Sequence, residues 1–583
     1  MPNDPELAGS SSGNSSADGK DVEVKPWTVM VYMAGNNNLS ENMAFSLESL
    51  HEFGGSLSPD DRSKVNLLAY FDGSSLTAPT HYIDYSDLKQ PNEPHREPVT
   101  NKHKYHRSRS SEERVSGSPE SVHAPINDDS ASAYSIMNFV RWCIVDRKRR
   151  AHNYAVIFSG HSFGFHGTSF MRDDSAGSHL TLFRFRWALD EVNKEYLKGQ
   201  NNEKIAILGF DSCVMSMLEI GYELKGVAQT IVASEGSLPN SGWGYAPMLK
   251  EFLTAYQKEA EAAPAEKASF LAPEYVKNAA TKFVVAFTDQ QRRLALGGRS
   301  IDISSWDLDH VDELALAVNE LGRFLNRNLL LDPYSISNEK LFLRQEMKKV
   351  VLQSQYDAQS YMKDQCVDLR DFCQRLSFES KFLHEGPFAS HFQDLSSLSE
   401  KVIESVDKCV LKCGYSGDEY QYSNGISVFF PWSHLAFSIA AYKYRYLLFN
   451  RGNGSPEQPS GVGKDWVSFV SNYVWYVTRR EARKTTSGEI RSLESSLKDN
   501  PPWSKDNPPW SKDNPPWSKD NPPWSRDNPP WSRDNPPWSR DNPPWSKGEG
   551  GDSLFYFGRF KNFEMMWDIS GFSDERIKAD KDE

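Results

Sequence analysis

The 583-residue chain has no run approaching 18 consecutive apolar residues, so no helix is expected to span a membrane. Cysteine is scarce: six in all, at positions 143, 213, 366, 373, 409 and 413, with no CxxC pair. That is too few for a disulfide scaffold, and the Cys409/Cys413 spacing has no second pair to complete a zinc site, so reduced thiols are expected. Positive charge is in deficit, Lys+Arg 66 against Asp+Glu 79, for a formal net charge of −13. This argues against a nucleic-acid partner held by phosphate contacts and is compatible with a basic substrate. No DxDxDG loop occurs, so no EF-hand-type calcium site is written in the chain. The opening MPNDPELAGSSSGNSSADGK lacks the charged-then-apolar pattern of an export signal, and a cytoplasmic location is expected.

Core-forming sequence is unevenly spread. Residues 1–26 are small, polar or charged and read as a disordered N-terminus. Residues 85–125 are rich in Pro, Ser, His and charge and read as a disordered insertion. Residues 499–547 are seven copies of DNPPWS[KR], which hold seven of the 16 Trp. Two Pro per copy forbid a helix, so the tract reads as extended and solvated, either a tolerated expansion or a recognition tract for a protein partner. The apolar segment SLFYFGRFKNFEMMWDISGF within 548–583 is expected to pack partly on the core. Residues 446–498 read as a C-terminal extension, which leaves 27–445 as the main domain.

Within that domain, short apolar runs recur: TVMVYMAG (28–35), NLLAYFDG (66–73), YAVIFSGH (154–161), IAILGFDSC (205–213) and QTIVASEG (229–236). Each has little alternation, as expected of strands buried on both faces. Helical patterns lie between them, at 39–53, 132–150, 180–197 and 213–227. The fold class is therefore α/β, a mostly parallel sheet flanked by helices on both faces. Residues 310–410 read as mostly helical, and NGISVFFPW (424–432) as a late strand. In such sheets chemistry gathers at the C-terminal strand ends.

Two strand ends carry reactive groups. SGHSFGFHG (159–167) contains Gly160-His161-Ser162-Phe163-Gly164, a match to the GxSxG elbow of serine hydrolases. An elbow needs a helix directly behind the serine, whereas the segment that follows is polar and Gly-broken until about Leu180. GFDSCVMSMLE (209–219) is expected to open straight into a helix, with Cys213 at its first turn, where backbone N–H groups and the dipole lower a thiol pKa. His161 on the adjacent strand end would complete a nucleophile–base pair with Cys213. Asp211, two residues before that cysteine and on the same side of the strand, would favour a cationic P1 side chain, Arg above all; alternatively it caps the following helix. Glu235, at the end of the fifth run, is a second candidate pocket wall.

TVMVYMAGNNNLSENM, the strand–Gly-His loop, FDSCVMSMLEIGYELKGVAQTIVASEG with SGWGY, and SNGISVFFP together resemble the clostripain family of cysteine peptidases, relatives of caspases, gingipains and legumains. The resemblance implies a caspase-like sheet, a Cys213/His161 dyad and endopeptidase activity after Arg or Lys, with Asp211 matching the acid of the S1 pocket. It further implies an oxyanion site made by the backbone N–H groups of Ser162 and Cys213, and self-processing between the histidine and cysteine strands. Arg172 in FMRDDSAGS is the expected processing site, ahead of Arg184 in a helical pattern. No cofactor is required, although the resemblance permits calcium. The chain departs from the family's His-Gly in having Ser162 after His161, which bears on efficiency. Two alternatives stand beside this reading: a serine hydrolase using Ser162, and a catalytically weak scaffold that binds partners through the repeat tract.

Overall fold

The computed structural model describes residues 24–74, 78–90, 93–103, 123–165, 170–198, 203–262, 273–294, 300–329, 337–362, 365–432, 434–452 and 461–478. The chain divides into two compact units, Met1–Tyr473 and Val474–Glu583, and the sheets and the site belong to the first. The repeat tract, most of the N-terminal segment and residues 548–583 lie outside the described residues. Among the described residues no helix is long and apolar enough to cross a membrane.

The strands are β1 (Lys25–Gly35), β2 (Val65–Gly73), β3 (His81–Gln90), β4 (Glu93–Pro98), β5 (Ala151–Ser159), β6 (Ile205–Asp211), β7 (Ala228–Ala233), β8 (Ile301–Asp307), β9 (Ser360–Tyr361), β10 (Cys366–Asp368), β11 (Val410–Ser416) and β12 (Ser427–Phe429). Nine of them form one sheet in the order β11-β8-β7-β6-β5-β1-β2-β3-β4. The central strands β2, β1, β5, β6 and β7 pair in parallel, and antiparallel strands close both edges. The expected α/β architecture is thus present.

Strand geometry explains why the runs show so little alternation. Successive side chains point to opposite faces, and here both faces are covered. Val29, Val31 and Met33 of β1 enter one core with Leu50, Phe252 and Phe283 from the helices Ser40–Ser56, Tyr245–Ala262 and Pro273–Leu294. Tyr32, between them, points the other way, stacking on Tyr70 at 4.1 Å and meeting Phe139 and Phe158. That second core is covered by the helices Ala133–Arg141 and Leu182–Val192. A smaller antiparallel sheet, β12-β10-β9, joins the main one through a bridge between Met217 and Ser427.

Three expectations are corrected. Residues 85–103 are not a disordered insertion: β3 and β4 form a hairpin on the sheet edge. Its charge is neutralised from a distance in sequence, since buried Asp84 accepts from Arg147 Nε and Arg149 Nε at 2.9 Å each. Local composition cannot show such pairing; residues 104–122 lie outside the described set. Strand β1 also starts at Lys25, inside the segment read as disordered. Finally, the helix Lys464–Thr478, read as part of an extension, contributes to the core: Trp466 is fully buried against Gly322, where a Cβ would come within 2.5 Å of its Cα.

Candidate active site

Strand register puts the two candidate residues just beyond the ends of adjacent strands. β5 and β6 run in parallel with Ser159 opposite Asp211. Gly160 N–H then donates to the Asp211 carbonyl at 3.3 Å, extending the pairing by one step. His161 and Cys213 each lie two residues beyond that pair, past the ends of the two strands. A third tip, that of β1, leads into Asn36-Asn37-Asn38 beside them.

The helix after Cys213 does not begin where the apolar pattern placed it. It spans Leu218–Leu224. The intervening chain pairs instead with the segment after β7: Val214 N–H donates to Gly236 C=O and Ser216 N–H to Ser234 C=O, both at 2.9 Å. Val214 is diverted into the left-handed region, φ 57°, which a β-branched residue adopts only under strain. Cys213 therefore has no helix dipole at its sulfur. Burial pushes its thiol up to about 11, opposed in part by Leu238 N–H, which donates to Sγ at 3.3 Å. The expectation of a dipole-lowered thiol is corrected accordingly.

His161 is partly buried. Burial, and next the charge of Arg172, hold its imidazole down to about 4. Nε2 lies 2.7 Å from Asn38 Oδ1. An amide oxygen only accepts, so Nε2 carries the proton and Nδ1 the lone pair. Among the described residues no hydrogen bond joins Cys213 Sγ to His161. At neutral pH thiol and imidazole are therefore both uncharged, because the pH lies below the first value and above the second. Iodoacetamide reacts with the thiolate, so alkylation of Cys213 should rise about tenfold per pH unit from 7 to 10. Peptide mapping by mass spectrometry reads this; a flat profile would show a thiolate–imidazolium pair already formed.

Among the described residues, neither Ser162 N–H nor Cys213 N–H has a hydrogen-bond acceptor. The Ser162 side chain is placed otherwise. It is 1% exposed, its Oγ donates to Met215 Sδ at 2.8 Å and accepts from Gly164 N–H at 3.2 Å, and the next helix starts only at Leu182. The serine-elbow geometry is absent, which overturns the serine-hydrolase alternative.

Asp211 is 5% exposed, with Oδ1 accepting from Trp243 N–H at 2.9 Å and Oδ2 from Ser159 Oγ and Tyr245 Oη at 2.9 Å each. Burial raises it to about 6, against those three donors. It does not cap a helix, since none starts beside it. Gly242, at φ 60°, packs closely against the carboxylate: a Cβ there would come within 2.7 Å of Oδ2. Glu235 does not form a pocket wall. It is fully buried, its Oε2 accepting from Tyr361 Oη at 3.2 Å and Gly425 N–H at 2.8 Å, turned toward the smaller sheet. Burial, and then the neighbouring Asp368 and Asp302, keep it protonated well above the usual carboxylate range.

Arg172 sits in a closed turn. Its carbonyl accepts from Asn37 Nδ2 at 2.8 Å and its guanidinium pairs with Asp174. The next residue, Asp173, is fully buried and exchanges two 3.0 Å backbone bonds with Ser178, while its Oδ2 accepts from Ser130 N–H at 2.9 Å. The Arg172–Asp173 bond is thus not presented as the extended strand a peptidase cleft takes. Asn37 and Asn38 are the site residues that single-residue reasoning missed; the signal was three consecutive amides directly after a strand end.

The sequence model of the clostripain family matches residues 31–446. The chain belongs to the clostripain family. It is a cysteine peptidase. Among solved structures, an inactive zymogen C11 protease from Parabacteroides distasonis is similar at 16% identity and a TM-score of 0.45, over 73% of this chain and 96% of that one. A secreted C11 cysteine protease from Bacteroides thetaiotaomicron, in complex with an irreversible peptide inhibitor, is similar at 15% identity and a TM-score of 0.44, over 70% of this chain and 92% of the other. Among curated proteins, none matches this clostripain-family peptidase in sequence.

Proposed function

We propose that this clostripain-family peptidase cleaves peptide bonds after Arg, and less readily after Lys, with Cys213 as nucleophile and His161 as its proton acceptor. The observation that supports this reading is the β5–β6 register, in which Ser159 pairs with Asp211, two residues before His161 and Cys213 respectively. The Cys213 proton passes to His161 Nδ1 as sulfur bonds to the scissile carbonyl carbon. The N–H groups of Ser162 and Cys213 hold the oxyanion. The imidazolium then protonates the leaving amine, and water hydrolyses the thioester. Asp211 supplies negative charge for the P1 guanidinium. Hydrolysis of fluorogenic peptides with Arg, Lys or Leu at P1, by wild type and Cys213→Ala, tests the reading.

Among the described residues no group of three or more His, Cys, Asp or Glu is arranged to hold a metal. The oxygens of the buried Asp302 and Asp368 already accept backbone N–H groups, from Glu235 and Gly236 in the first case and from Asp371 and Asn424 in the second. No step is therefore routed through a metal.

Self-cleavage after Arg172 requires its turn to open first. Purified wild type should accordingly stay a single chain for longer than Asn37→Ala, which removes the clamp on the Arg172 carbonyl. N-terminal sequencing of fragments beginning at Asp173 reads the outcome. Equal rates in both proteins, or fragments with other ends, would reject it.

A further inference from the structure

The loop after β1 holds a side chain that the dyad mechanism does not use. Asn37 anchors the loop: its Nδ2 donates to Ala34 C=O at 2.9 Å and to Arg172 C=O at 2.8 Å, and its Oδ1 accepts from Leu39 N–H at 2.9 Å. Asn36 ties the same loop outward, through Nδ2 to Asn127 Oδ1 at 3.1 Å and Oδ1 from Ser175 Oγ at 2.8 Å. With both neighbours fixed, Asn38 projects from a rigid strand tip. Its side chain has one partner among the described residues, the His161 ring, at 2.7 Å. Asn38 is exposed, and an exposed hydrogen bond contributes little to folding. Its effect is instead on the orientation and proton placement of one imidazole.

We infer that Asn38 is a positioning residue for the proposed peptidase reaction: by accepting from His161 Nε2–H it holds the ring in the tautomer that leaves the Nδ1 lone pair free for the proton of the proposed nucleophile. This rests on the Cys213/His161 reading. A ring bound at Nε2 can take the Cys213 proton only at Nδ1, and turning over would break the Asn38 bond. An amide performs this without adding charge. A carboxylate at 38 would orient the ring as well but would favour imidazolium, which cannot accept a proton. The charged group that already bears on His161 from a neighbouring segment is Arg172, which acts in the opposite sense. Asn38 therefore chooses the tautomer, while burial, with Arg172 acting in the same direction, keeps the base uncharged.

The experiment compares wild type, Asn38→Ala and Asn38→Asp in the full chain. With the Arg peptide, Asn38→Ala should lose about 10- to 100-fold in kcat with KM changed less than about threefold, since general-base action is impaired while substrate contacts remain. Asn38→Asp should move the acidic limb of the kcat/KM–pH profile upward by about one unit or more and recover part of the rate above it. Histidine-selective 15N NMR, with His161 assigned by His161→Gln, reads the tautomer without turnover: Nε2–H in wild type, a mixture in Asn38→Ala. Asn38→Asp is nearly isosteric and serves where the alanine variant fails to fold. Wild-type kcat and pH profile in Asn38→Ala, or an unchanged His161 tautomer, would overturn the inference. If wild type itself cleaves no basic peptide, the dyad reading fails separately, and the NMR measurement still decides the role of Asn38.

Discussion

Replacing Cys213 with alanine is expected to lower hydrolysis of an Arg peptide by about 10⁴-fold or more, the scale on which removing a covalent nucleophile acts. His161→Ala should fall to a similar residue of activity, because the two side chains act as one unit and their losses are not additive. Cys413, the other partly exposed thiol, offers the control. It lies on the edge strand β11 rather than at a parallel strand tip, so Cys413→Ala should leave the rate unchanged. Melting temperature must be followed alongside, although Cys213 is only partly buried and its removal leaves little cavity. Retention of more than one per cent of wild-type turnover in Cys213→Ala would remove the thiol from the mechanism.

Asp211→Ala should have the largest combined effect. The carboxylate receives three buried donors, from Ser159, Trp243 and Tyr245. Deleting it strands them at about 1–3 kcal/mol each, a sum reduced by any water that enters, so a loss of about 3–5 kcal/mol is expected in denaturant unfolding. The same deletion removes the negative charge proposed to recognise P1, so the ratio of kcat/KM for Arg over Leu peptides should drop by about 100-fold or more in the folded fraction. The two effects separate cleanly, one read in stability and the other in a ratio that is independent of the amount of folded enzyme. In wild type the Arg preference should weaken as pH falls through about 6, where Asp211 takes up a proton. A large stability loss with an unchanged Arg/Leu ratio would make Asp211 a clamp for the 242–245 segment and nothing more.

The central strands and their parallel pairing were legible because they depend on local apolar runs and on strand order. Residues Val29 to Met33 are buried whichever helix covers them, so the run itself announces the strand. The hairpin of β3 and β4 was illegible because Asp84 is made tolerable only by Arg147 and Arg149, some sixty residues away. The delayed helix after Cys213 was illegible for a related reason. MSMLEIGYEL has a good helical pattern, but backbone bonds to Ser234 and Gly236 compete for its first turn, and Val214 is bent to satisfy them.

Residue types and their spacing thus determined which chemistry this chain carries: a thiol and an imidazole at the ends of two buried runs, an acid two positions before the thiol, and membership of the clostripain family. Tertiary structure decided how those groups are tuned, because a pKa, a tautomer and the openness of a turn depend on what packs around each atom. Burial, not a helix dipole, governs Cys213. Asn38, beyond the end of the strand next to β5 in the sheet, governs which nitrogen of His161 is free. Glu235 was drawn into the interior by Tyr361 and Gly425, partners that chain order alone does not place beside it.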